Sequence, residues 1–111
     1  MKLNALIILM VGFTSFANAK IVPKTTLDVV DTAVCTAAAM KSQRFKVYDI
    51  WATELKNRYA LIFPNKSKSE LDEYTSERIL DKKRGLERKG YSTKPAFLKF
   101  YNTNCKDFEP K

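Results

Sequence analysis

Cys35 and Cys105 are the only cysteines in the chain, and they stand seventy positions apart. In an oxidising compartment a lone, widely spaced pair reads as one structural disulfide. A redox pair carries its cysteines as C-x-x-C, a spacing absent here. A bond across this span would pin the C-terminal part of the chain onto the segment that holds Cys35.

The bond is allowed only if the chain leaves the reducing cytoplasm, and the first nineteen residues point that way. Lys2 supplies a positive start, Ala5 to Phe13 is apolar apart from Gly12, and Ala17 and Ala19 put small side chains where signal peptidase needs them. The apolar run falls well short of the roughly 20 residues that cross a bilayer as a helix. The expectation is a cleaved signal peptide over 1–19 and a single soluble domain over 20–111. It would be periplasmic or secreted, with no membrane span after cleavage.

Removing 19 of the 111 residues leaves 92, and losing Lys2 lowers the formal net charge from +8 to +7. A domain of this size buries only a little over half of its unfolded surface, so a covalent staple matters. The chain has no histidine, which removes the commonest general base near neutral pH and the commonest metal ligand. Two cysteines are too few soft ligands for a structural zinc site. The only glycines are Gly12, Gly85 and Gly90, so no glycine-rich loop is available to cradle phosphate. The twelve carboxylates fall mostly at helix starts or beside basic partners, as Glu54 does with Arg58. This pattern predicts no catalytic centre, no metal and no cofactor.

Hydrophobic periodicity predicts four helices. Leu27, Val30, Val34, Ala37 and Ala38 recur at helical spacing, with Thr25 to Asp28 as a capping box and an end near Lys41. Tyr48, Trp51, Leu55, Tyr59 and Ile62 mark a second helix over about 44–62 that Pro64 and Asn65 terminate. It is apolar over more than half its circumference, the pattern of a central helix covered from two directions. Ser67 and Glu70 form another capping box, ahead of a face made by Leu71, Thr75, Ile79 and Leu86. That third helix weakens at Gly85 and ends at Gly90. Ser92-Thr93-Lys94-Pro95 opens a fourth, with Phe97, Leu98 and Tyr101 on one side. One turn beyond Tyr101 lies Cys105, and Cys35 flanks the first helix's stripe. The expected fold is therefore all-α, a small antiparallel four-helix domain closed by Cys35–Cys105.

The densest basic stretch is Lys82, Lys83, Arg84, Arg88, Lys89 and Lys94, with Arg78 upstream. Such a run can hold an acidic protein, an anionic surface or a polyanion; Asp81 and Glu87 interrupt it, as on a face that is merely solvated. Nucleic-acid binding needs exposed aromatics among the cations, and only Tyr91 is near, so nucleic acid is disfavoured. Phe100 and Phe108 lie off the main stripe and could join Tyr91 in a small contact surface. The candidate partner-binding residues are Arg78, Lys83, Arg84, Arg88, Lys89, Tyr91, Lys94 and Phe100. The functional expectation is a non-enzymatic protein-binding module of the inhibitor, immunity or envelope-accessory type, acting through this basic surface on another protein, an acidic one being among the candidates. The alternative is a periplasmic chaperone-like or polyanion-binding protein.

Overall fold

The computed structural model describes residues 21–42 and 44–111; the expected signal peptide over 1–19 lies outside the described residues. Four α-helices follow one another, α1 Val29–Lys41, α2 Phe45–Ile62, α3 Lys68–Arg88 and α4 Lys94–Asn104, and a 3₁₀ turn at Lys106–Phe108 ends the chain. The expected all-α domain with one disulfide is what forms.

The ends of α3 and α4 are set by local chemistry. Ser67 accepts from the Glu70 amide at 3.1 Å, while Glu70 Oε1 accepts from the Ser67 amide at 2.8 Å, a complete capping box. The Ser67 amide and then the Ser67 hydroxyl, both hydrogen-bonding to the Glu70 carboxyl, hold it below its ordinary value. The helix runs through Gly85 without a break. It stops where Gly90 takes a φ of +102°, a conformation glycine adopts at no steric cost. There the Tyr91 amide reaches Leu86 O at 3.0 Å and the Gly90 amide reaches Glu87 O at 3.0 Å, the paired bonds of a Schellman cap. Thr93 caps α4 by accepting from the Ala96 amide at 3.2 Å, with Pro95 in the first turn.

The start of α1 differs from the expectation. Its cap is Asp28, which accepts from the Asp31 amide at 2.8 Å. An ionised acceptor suits the positive end of the helix dipole better than a hydroxyl does. Thr25 is used elsewhere: its hydroxyl donates to the Phe108 carbonyl across the chain termini.

The larger correction concerns which helix is central. α1 buries Thr32, Ala33, Cys35, Thr36, Ala37, Ala38 and Ala39, and it packs against α2, α3 and α4 alike. Small side chains let three neighbours close around one helix. The two buried threonines stay satisfied by donating to carbonyls one turn back, each at 2.7 Å. α2, expected at the centre, leaves Phe45, Ile50, Leu61 and Ile62 exposed. Its inward side carries Trp51, Leu55 and Tyr59, and burying each of the first two fully contributes about 1.5–3 kcal/mol.

The core has two connected parts. One gathers Cys35, Ala38, Ala39, Trp51, Leu86, Phe97, Tyr101 and Cys105; the other gathers Ala33, Ala37, Leu55, Tyr59 and Ile79. The disulfide joins α1 to the residue that caps α4, with the two Cα atoms 5.6 Å apart. Beside it, Trp51 Nε1 donates to the Tyr101 hydroxyl at 2.8 Å, and that hydroxyl donates in turn to Glu109. Burial and the bond to Glu109 push the Tyr101 phenol well above its ordinary value, and α4 is tied to both α2 and the C-terminal turn.

Candidate functional site

The eight residues singled out from the sequence do not form one face. At about 100° per residue, the basic side chains of α3 distribute around the helix. Arg84 and Arg88, one turn apart, share the exposed outer side. Lys83 points along another flank and pairs with Glu87 at 3.7 Å. Arg78 turns inward, its guanidinium 5.3 Å from the centre of the Tyr74 ring. Its Nε is buried with no hydrogen-bond partner among the described residues. Tyr91 and Phe100 meet edge to face, ring centroids 5.0 Å apart, and both lie half-buried against the first core cluster. Lys89 and Lys94 are exposed on either side of the turn between α3 and α4.

What the fold brings together is a different set. α2 and α3 run antiparallel. Tyr59 faces Tyr74 at 4.9 Å, Leu55 shares a cluster with Ile79, and Trp51 shares the next with Leu86. Extending that order puts Phe45, the first residue of α2, at the level of Lys89 and Gly90. The α1–α2 turn, the last turn of α3 and the first turn of α4 therefore form one end of the bundle. Residues 41–48 and 82–95 together hold nine lysines and arginines, and their only carboxylate is Glu87. Glu87 is engaged with Lys83, and Asp81 lies just before this stretch. Arg44 is partly committed, its guanidinium 5.4 Å from the centre of the Tyr101 ring. Phe45, at 69 %, is the most exposed large apolar side chain among the described residues. Lys41, Arg44, Phe45 and Lys46 are not among the eight: on a helical wheel Phe45 falls beside the Tyr48–Trp51 stripe that marks a core, and the three cations stand outside the continuous basic run. The signal was present, since residues 41–46 hold three cations and no acid.

The opposite end is mixed in charge and more tightly knit. The buried Glu54, 3 % exposed, accepts from the Lys24 amide at 2.9 Å and lies 3.8 Å from Arg58. Arg58 in turn donates to Leu27 O at 2.9 Å, and the Lys111 amide donates to Lys24 O at 3.0 Å. These bonds clasp the segment before α1 to the C-terminal segment over α2. An open cleft of about 410 Å³ lies beside the clasp, lined by Asp49, Ile50, Asn57 and Pro110 among others. Another, of about 490 Å³, runs between α2 and α3 beside the Lys56–Asp72 ion pair at 2.9 Å. Near that pair, burial and then the neighbouring Tyr74 push the Tyr59 phenol up to about 12.

None of these clefts gathers a nucleophile with a base. Among the described residues, no three His, Cys, Asp or Glu side chains converge as a metal site would require, and no helix is long and apolar enough to cross a membrane. No family model, curated protein or solved structure matches this chain.

Proposed function

We propose that this protein is a small exported, non-enzymatic binding module, of the inhibitor, immunity or envelope-accessory kind, that holds an acidic protein against its cationic end. The observation that carries the reading is the charge imbalance at that end, nine cations from four helices and the turns between them against one carboxylate within those segments, Glu87, which pairs with Lys83. A cluster of one sign raises the local concentration of opposite charge and speeds encounter, with strong dependence on salt. The buried disulfide and the export signal expected over 1–19 fit work outside the cytoplasm.

The test uses the mature, oxidised protein as bait in periplasmic or secreted extract at low salt. Capture of one protein in stoichiometric amount is expected, and Lys83→Glu, Arg84→Glu and Arg88→Glu together should abolish it. Unchanged capture by the triple variant refutes the reading, as does failure of the unaltered protein to retain any specific protein. Equal retention of heparin by both forms would leave no role for these cations.

A further inference from the structure

Phe45 stands on the first turn of α2 between Arg44 and Lys46, and its ring is 69 % exposed. The other rings of α2 are turned toward the interior: Trp51 and Tyr59 are buried, and Tyr48 packs against both core clusters. The fold therefore has an apolar side to this helix, and Phe45 is not on it. A phenyl ring held in water loses the hydrophobic gain that burial provides, and this one has Arg44 and Lys46 as its chain neighbours at the end of the bundle that also carries Arg84, Arg88 and Lys89.

Resting on the function proposed above, we infer that Phe45 is the anchor of that interface. Its ring enters an apolar hollow on the acidic protein while Arg84, Arg88, Lys46 and Lys89 pair with carboxylates around the hollow's rim. Interfaces concentrate their energy in a few central aromatic or arginine side chains ringed by polar contacts. An anionic bilayer fits less well. Interfacial helices sink a whole apolar face into lipid, whereas the inward face of α2 is spent on the core and Phe45 is the one exposed large apolar side chain among the described residues of 41–48 and 82–95.

The experiment compares Phe45→Ala, Phe45→Trp and the pair Arg84→Glu and Arg88→Glu, each titrated calorimetrically with the captured protein at several salt concentrations. All three sites are on the surface, and circular dichroism confirms folding. Phe45→Ala should weaken binding at least about tenfold without altering the slope of affinity against salt. Phe45→Trp should bind nearly as the unaltered protein, and the charge pair should flatten the slope. If Phe45→Ala binds as tightly as the unaltered protein, the anchor is overturned while the cationic interface stands. If the charge pair also leaves affinity and slope unchanged, the interface falls too. Phe45-dependent sedimentation with vesicles of equimolar phosphatidylcholine and phosphatidylglycerol, with no protein captured, would make lipid the occupant and overturn the inference.

Discussion

Replacing both Cys35 and Cys105 with alanine should lower the stability of this domain more than almost any other pair of changes. Both residues are buried, and the bond closes a loop of seventy positions. In the chain-entropy account, closing a loop of that length removes about 4 kcal/mol of unfolded-state freedom at 25 °C. A single domain of this size has a total stability on the order of 5–15 kcal/mol. For a domain of 60–100 residues each kcal/mol shifts Tm by about 4–8 °C, so the melting temperature should fall by roughly 16–32 °C. Without the bond, α4 is held by Phe97 and Tyr101 and by the 2.8 Å bond from Trp51 to Tyr101. The assay is urea and thermal unfolding of the mature oxidised protein and of the double variant, followed by circular dichroism. Because the loss arises in the unfolded chain, the denaturant slope should rise in the variant as the unfolded ensemble expands. A loss below about 1 kcal/mol with an unchanged slope would show that α4 docks by its contacts alone and that the loop-closure reasoning fails.

Two further outcomes test the packing and the caps. Ala38→Leu, at a position with no exposed surface where α1 meets its neighbours, should cost about 1–3 kcal/mol or prevent folding through overpacking, whereas Val30→Leu on the exposed side of α1 should leave the urea midpoint nearly unchanged. Glu70→Gln should lower Tm at neutral pH, and the gap should close as pH falls. Since folding lowers the Glu70 pKa from its ordinary 4.5, its contribution is complete above that value and disappears as pH drops through the lower folded one. A gap that persists at the acid end would assign the cap's effect to shape and not to charge.

Local chemistry was legible residue by residue. The Ser67 and Glu70 box, the Thr93 cap ahead of Pro95 and the stop at Gly90 each depend on a few adjacent side chains, and each forms where the sequence predicts it. The start of α1 was harder because Thr25 and Asp28 are both competent caps; the choice is made by the Phe108 carbonyl, eighty-three positions from Thr25. The central helix was misassigned for a related reason. Large apolar residues mark what a helix contributes to a core, but it is the alanines and threonines of α1 that let α2, α3 and α4 approach at once. Apolar breadth along α2 measured its content and said nothing of how many neighbours could reach it.

The cationic end follows from lengths more than from any motif. The connection between α2 and α3 is short, and short helix connections make antiparallel neighbours. At about 1.5 Å per residue, the 18 residues of α2 and the 21 of α3 span about 27 and about 32 Å. Starting from the same turn, they finish within about one helical turn of each other. The free ends then carry Arg44, Phe45 and Lys46 on one helix and Arg84 and Arg88 on the other, while the α3–α4 turn adds Lys89 and Lys94. Neither cluster is imposing alone, since Glu87 and Asp81 dilute the second and the first holds only Lys41, Arg44 and Lys46. Their meeting depends on the register of α2 against α3, fixed by Tyr59 on Tyr74 and Lys56 on Asp72. Interaction surfaces in a small bundle are therefore best sought at helix ends once that register is known, because there the fold joins segments that the chain keeps forty positions apart.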